Sequence, residues 1–479
     1  MKIITKLCLI FTLGLLAAWP AQAQYSGGSG TSGDPYQIAT TGDLIDMSNT
    51  SADWSAYFIQ TTDIAFDADE TLVDWDGDGT ADWDTEDQKG FFPIGNSTTA
   101  FTGSYDGGEY TIDNLYINRP STEYIALFGK TDVATITNVG VTNVDITGQN
   151  NVGGIVGWHN DGTLSYSYTT GSVYGENSGY TFYGLYVGGI MGTNNGGTIS
   201  NSYSSASISG YGSIGGLIGD NSFSTMSKCY AAGSVSGTEN TGGLVGNSSG
   251  SDVYDSFWDT ETSEQSTSSG GTAKTTAEMK TESTFTGVGW DFTNETANGS
   301  EDVWAMSSSI TYGGYPTLQW TGAYAEEPSQ SGGVYQIASL PNLVWIAEVD
   351  TRWSNDYEQK ADIDAWITPR WDNGKGWTPI GNSTTNFTGS YNGQDYTIDN
   401  LYINRPSTDF VGLFGYTGSA TVENLDVIHL EITGGESTGG LIGYNYSATV
   451  NNCYSSGSLI GNTTEIGRAS CRERVYTKV

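Results

Sequence analysis

One pentapeptide recurs along this chain and constrains its fold more than any other feature. It reads Gly153-Gly-Ile-Val-Gly157, Gly188-Gly-Ile-Met-Gly192, Gly215-Gly-Leu-Ile-Gly219, Gly242-Gly-Leu-Val-Gly246 and Gly439-Gly-Leu-Ile-Gly443, with degenerate copies at Ala126-Leu-Phe-Gly129 and Gly412-Leu-Phe-Gly415. The aligned apolar residues Leu127, Ile155, Ile190, Leu217 and Leu244 stand 28, 35, 27 and 27 residues apart. The long interval holds a Tyr/Gly-rich insertion near Glu176 to Leu185. Fixed-period self-similarity of this length is the mark of a stacked repeat architecture.

Each pentapeptide is followed by a second element: Thr163-Leu-Ser-Tyr-Ser-Tyr, Thr198-Ile-Ser-Asn-Ser-Tyr, Met226-Ser-Lys-Cys-Tyr and Thr449-Val-Asn-Asn-Cys-Tyr. Apolar and polar residues roughly alternate there, which is strand periodicity. A third run, such as Gly233-Ser-Val-Ser-Gly, closes the unit. A single unit holds too few apolar groups to bury a core, so units must stack and pair strands with their neighbours. The expected fold is all-β: a parallel β-helix or β-solenoid with coils of ~27 residues. Two columns should then run along it. Tyr168, Tyr203, Tyr230, Phe257 and Tyr454 form an aromatic one; Ser167, Ser202, Cys229, Ser256 and Cys453 form a small one. Alternation alone leaves open whether the aromatic column points inward or forms an outer stripe.

The module is itself duplicated. Pro93-Ile-Gly-Asn-Ser-Thr-Thr returns at Pro379, and Thr111 to Thr122 returns unchanged as Thr397 to Thr408. Each copy is preceded by a short expected helix, Thr41 to Asn49 and Ser339 to Glu348, placed to cover an open solenoid end that would otherwise expose strand edges. The chain therefore divides into a signal peptide (1–23), a first solenoid module (24–258), a Trp-rich C-terminal cap (259–322), a linker (323–333), a second, truncated module (334–466) and an artefactual tail (467–479). Within the cap, Ser263 to Thr276 is Ser/Thr/Gly-rich and reads as a loop. Trp258, Trp290, Trp304 and Trp320 are expected to cover the last coil.

Location follows from the N-terminus. A basic start, an apolar run from Leu7 to Trp19 and the Ala21-Gln22-Ala23 pattern predict cleavage after Ala23 and export. The apolar run is too short to span a bilayer, and no later stretch of the mature chain is long and apolar enough to do so. The net charge of −37 argues against nucleic acid, whose phosphates need a basic surface, and against docking on anionic lipid. Cysteines are too few for a disulfide framework. Cys229 and Cys453 read as small buried packing residues.

The Gly-Leu-x-Gly pentapeptides, with their trailing Asn-Ser/Cys-Tyr and Gly-Ser-Val-Ser-Gly, resemble the GLUG-repeat family. The Phe-Thr-Gly-Ser-Tyr and Thr-Ile-Asp-Asn-Leu-Tyr-Ile-Asn-Arg-Pro blocks look like the leader that precedes such repeats. The resemblance covers most of Gly33 to Asn462. It implies a large surface or secreted bacterial protein, often adhesin-like, with β-helical character. Some immunoglobulin A peptidases carry such repeats beside a protease domain, but this chain has no His-Glu-x-x-His, and the resemblance supplies no catalytic residue.

Reactive chemistry is sparse. The two histidines, His159 and His429, lie in different modules, and His159 reads as a turn or surface residue. Arg119 and Arg405 recur in the leader block and suggest a structural salt bridge. One segment could hold a metal. In Asp74-Trp-Asp-Gly-Asp-Gly-Thr-Ala-Asp82, residues Asp74, Asp76, Asp78, Thr80 and Asp82 follow the spacing of a calcium loop, with Gly79 at the sharp turn. Calcium takes six to eight oxygens, and the bidentate Glu expected at the twelfth position is replaced by Thr85. A solvated acidic loop is the plainer alternative. The chain therefore reads as a non-catalytic secreted or cell-surface adhesin-like protein with an extracellular protein or glycan as partner and calcium as the candidate cofactor. A polysaccharide-processing β-helix enzyme and a passive stalk for a downstream domain are the alternatives.

Overall fold

The computed structural model describes residues 25–67, 75, 87–176, 185–293, 295–306, 314–321, 325–371, 375–461 and 474–476. The expected signal peptide lies outside the described residues. Of the tail 467–479, only the strand Arg474–Tyr476 is described, paired parallel with Tyr454–Gly461.

The described chain is mostly β, in parallel sheets. The pairings run in the order of the sequence repeats. In one ladder Thr135, Thr163, Thr198, Thr225 and Asp252 are successive Cα partners. In a second, the strands Phe128–Asp132, Val156–Asn160, Met191–Asn195, Ile218–Ser222 and Val245–Ser249 lie side by side. The first ladder continues back through the leader: Thr135 pairs with Ser104, Ser104 with Tyr57, and Phe58 with Tyr36. Neighbouring repeats thus offer each other's strands backbone partners, which is what lets such short strands persist.

The pentapeptide forms the corner between two ladders. Its central apolar residue turns inward: Leu127, Ile155, Ile190, Leu217 and Leu244 are fully buried. Its last glycine allows a close backbone approach. A Cβ on Gly192 would come within 2.5 Å of the Asn151 carbonyl carbon, and one on Gly443 within 2.6 Å of that of Phe410. A side chain there would push the repeats apart. Another corner precedes the Ser/Cys-aromatic pair, where Tyr166, Asn201, Lys228, Asp255 and Asn452 have φ between 45° and 52°, and Asn138, before Val139, has the same turn at 56°. Asn and Asp enter this left-handed region more readily than most residues, which explains the Asn in the trailing motif.

The small column is a relay of polar groups. Ser202 Oγ donates to Ser200 O at 2.7 Å and accepts from Ser167 N at 3.2 Å. Ser256 Oγ likewise donates to Tyr254 O and accepts from Cys229 N. Cys229 and Cys453 place their thiols on the same carbonyls, those of Ser227 and Asn451, both at 3.2 Å. These residues are buried, as expected, and they also satisfy backbone groups where the ladder breaks.

The two modules repeat devices beyond their sequence identity. The helix Thr41–Asn49 carries a Thr40/Asp43 capping box, and its counterpart is Leu340–Glu348 with Ser339 as N-cap. Their apolar sides join the cores of their own modules. Trp54 Nε1 donates to Met47 O at 2.8 Å, and Trp353 Nε1 to Ile346 O at 2.9 Å. A buried Gln60 accepts from Tyr105 OH, as Gln359 does from Tyr391 OH. Arg119 donates to the carbonyls of Phe91 and Gly90, and Arg405 to those of Trp377 and Gly376. The leader arginines thus tie two backbone segments together through their carbonyls, a role for which the planar guanidinium is well shaped.

One expectation is refined and one corrected. Ser263 to Thr276 is irregular over 264–271, as expected of a loop, but it is bonded along its length. Thr267 O accepts from Gly243 N, Ser268 Oγ accepts from Leu244 N and Val245 N, and Thr272–Lys274 pairs parallel with Phe257–Asp259. This segment covers the open edge of the last repeat. Its small hydroxyl residues suit it, because they can bond backbone groups where no regular strand forms. The tryptophans do not cover the last repeat alone. The segment after it runs back along the aromatic column: Trp290 packs on Phe257 and Tyr230, Trp304 on Tyr230 and Tyr203, and Trp320 on Tyr168. The column is therefore an outward stripe, roofed by a non-repetitive segment.

Candidate functional site

The five residues of the candidate calcium loop, Asp74, Asp76, Asp78, Thr80 and Asp82, lie outside the described residues. Of 68–86 only Trp75 is described. Its indole is fully buried, with its ring centroid 4.7 Å from that of Phe66 and 6.2 Å from that of Tyr116. The described residues contain no group of three or more His, Cys, Asp or Glu placed to hold a metal.

His159 is not a surface residue. It is fully buried, with Nδ1 2.7 Å from Thr131 Oγ1. Burial pushes its pKa down to about 4, against smaller opposing effects of Gly162 and Asp161. Thr131, His159, Asn194 and Asn221 are successive partners in the second ladder, and Asn194 Nδ2 donates to Asn221 Oδ1 at 3.0 Å. The imidazole belongs to a buried polar column, a reading its position after a pentapeptide concealed. Burial also raises the Cys229 thiol to about 12, so it is protonated and unreactive at neutral pH. Asp259, fully buried, is committed to structure: it caps the helix Thr260–Ser263 and accepts from Thr276 Oγ1 and Tyr315 OH.

A recess of about 420 Å³ opens in the second module. Its walls come from the end of the helix Leu340–Glu348, from Trp353, from Thr378, Pro379 and Asn382 at the start of the duplicated Pro379 segment, and from Asp409 and Phe410 just after Thr397 to Thr408. Its lining is mainly apolar. Glu348, Asp350 and Asp409 contribute carboxylates, and among the described residues no Lys, Arg or His lines it. Asp409 Oδ1 accepts from Glu436 N at 2.9 Å and Asp350 Oδ2 from Thr385 Oγ1 at 3.3 Å. Each carboxylate has about four acceptor sites, so both retain capacity.

An aromatic platform adjoins the recess. Phe410 belongs to both, held with φ of 62°. Its ring meets Tyr416 and Tyr444 edge-on, with centroids 5.3 and 5.6 Å away, and those two tyrosines, partners in neighbouring strands, lie 4.8 Å apart. Tyr444 is 39% exposed. Sequence reading missed this face because its residues lie outside the repeat columns. The signal was available only by comparing modules: Lys130 and Trp158 pair in the first module where Tyr416 and Tyr444 pair in the second.

Residues 434–460 match the GLUG motif. Halomucin of Haloquadratum walsbyi is 40% identical over 154 residues, which are 31% of this chain and 2% of halomucin. A candidate Gly-rich membrane protein of Evansella cellulosilytica is 37% identical over 101 residues, 19% of this chain and 11% of that protein. The chain thus spans a small part of the length of these curated relatives. A crystal structure of a candidate immunoglobulin A1 protease from Bacteroides ovatus is similar at a TM-score of 0.37 and 19% identity, covering 62% of this chain and 96% of that one.

Proposed function

We propose that this GLUG-motif chain is a non-catalytic, secreted or cell-surface protein whose β-solenoid, with coils of ~27 residues, presents ligand-binding faces to extracellular protein or glycan. The observation that carries the reading is the partly exposed aromatic platform beside a recess lined by carboxylates, set on a regular parallel-stranded scaffold. Rigid elements hold recognition surfaces with little entropic loss on binding. The names of the relatives, halomucin and a Gly-rich membrane protein, support a surface location. The buried, hydrogen-bonded state of His159, Cys229 and Asp259 supports a structural role for the groups most often recruited to catalysis.

The test is direct. The purified protein, applied to glycan and extracellular-matrix arrays, should bind a defined subset, and antibodies to it should label intact producing cells. Turnover of a polysaccharide by the same sample would overturn the reading. A bound calcium ion at Asp74, Asp76, Asp78, Thr80 and Asp82 belongs to the same proposal and rests on carboxylate spacing alone.

A further inference from the structure

We propose that the recess and aromatic platform of the second module form a subsite for a neutral saccharide. The proposal rests on the ligand-binding reading above and assigns it a place and a ligand class.

Three features of the site select the ligand. First, size: a recess of about 420 Å³ falls in the range of small-molecule sites and accepts one or two sugar rings. A protein partner would need about 800 Å² of contact on each side, far more than three clustered rings provide. Second, surface chemistry: Tyr444 is exposed, Phe410 and Tyr416 are half-buried beside it, and Trp353 and Pro379 line the recess. The negative faces of aromatic rings attract weakly positive C–H groups, and a pyranose carries such groups on its apolar side. Third, charge: Asp350 and Asp409 sit at the rim as acceptors for hydroxyl donors, with Asn382 able to donate or accept. With Glu348 also present, the charged groups among the described lining residues are all carboxylates, and Arg405 behind Thr378 is bonded to the Thr378 hydroxyl and to backbone carbonyls, so an anionic sugar would meet like charge on entry.

Module comparison points the same way. At the position of Thr378 the first module carries Phe92, whose ring lies 4.0 Å from the Arg119 guanidinium. In the second module Arg405 Nη2 instead donates to Thr378 Oγ1 at 2.9 Å. The smaller residue leaves space beside Pro379 that a phenyl ring would take up.

The experiment uses the full chain and isothermal titration with cellohexaose, maltohexaose, mannohexaose and chitohexaose, and with hexagalacturonate as the anionic comparison. At least one neutral hexasaccharide should bind with a dissociation constant of about 1 mM or tighter, and hexagalacturonate should not. Tyr444→Ala and Thr378→Phe should each weaken binding about tenfold or more. Tyr254→Ala, at an exposed tyrosine of the first module, should leave it unchanged. Circular dichroism checks that each variant folds; Thr378→Phe has a precedent in Phe92. Binding of a neutral hexasaccharide that survives both second-module changes would overturn the site while leaving the ligand-binding reading intact. Equal binding of hexagalacturonate would overturn the ligand class. No binding of any neutral hexasaccharide would overturn the proposal, and the matrix arrays would then decide the broader reading separately.

Discussion

Tyr203 and Tyr230, one repeat apart in sequence, stack with ring centroids 4.9 Å apart and planes within 1° of parallel. Tyr168 continues the stack at 5.0 Å and 7°. Trp304 packs against both Tyr203 and Tyr230 at 6.2 Å and is itself fully buried. The roof over the stripe should therefore contribute substantially to stability. Trp304→Ala is expected to cost about 3–5 kcal/mol, the range for a buried aromatic truncation. Urea unfolding measures it; a loss within experimental error would mean the segment 290–321 is only loosely applied.

The hydroxyl column predicts an asymmetry between two neighbouring positions. Ser202→Ala removes the acceptor of the buried Ser167 N–H and should cost about 1–3 kcal/mol. Cys229→Ser keeps the same bond to Ser227 O and should stay within about 1 kcal/mol of the parent. Iodoacetamide should leave Cys229 unmodified at pH 8 in the native protein, since burial holds its thiol protonated, and should label it after unfolding.

His159 predicts an acid sensitivity. Its folded-state pKa, about 4, lies below the ordinary value of 6.5. Between those values the unfolded chain binds the proton and the folded chain does not. Stability from this group is therefore whole above pH 6.5 and falls as pH drops from 6.5 towards 4, by about 3 kcal/mol at most. His159→Asn, which installs the residue found next along the column at Asn194, should flatten that part of the pH–stability curve. An unchanged slope in the variant would assign the sensitivity elsewhere.

Calcium should raise the melting temperature of the protein, and Asp76→Ala with Asp78→Ala should abolish the increase. Calorimetry with and without calcium, using magnesium as the comparison, checks it. No calcium effect on the unmutated protein would remove the metal from the account.

Lys228 occupies the left-handed corner that Asn201 and Asn452 fill in other repeats, at φ of 52°. Lys228→Asn is expected to stabilise the protein by up to about 1 kcal/mol, because Asn pays less for this conformation. Thermal unfolding of the pair reads the difference.

The repeat order, the strand positions and both helices were legible because each rests on local pattern: glycines at corners, alternation in strands, and Thr40 or Ser339 before an apolar stretch. What covers the repeats was not. The direction of the Tyr168 column depends on Trp290, Trp304 and Trp320, which obey no period. Ser263 to Thr276 reads as a loop and is irregular over 264–271, but its bonding to the last repeat is hidden because it uses hydroxyls and backbone in place of an apolar alternation. His159 was misplaced because only its ladder partners, Thr131 and Asn194, reveal that its position faces inward. The second-module recess escaped notice for a different reason: it arises from residues that differ between the copies, such as Thr378 against Phe92, and repetition draws attention to what is shared.

Oxidative cross-linking of paired cysteines tests the stacking of repeats most directly. Thr225 and Asp252 are Cα partners in adjacent strands, whereas Thr198 and Asp252 are separated by an intervening strand. Adjacent strands lie about 4.8 Å apart, and a disulfide needs Cα atoms within about 7 Å. Thr225→Cys with Asp252→Cys should form an intramolecular disulfide, and Thr198→Cys with Asp252→Cys should not. Cross-linking of the second pair in preference to the first would contradict a parallel stack with this register.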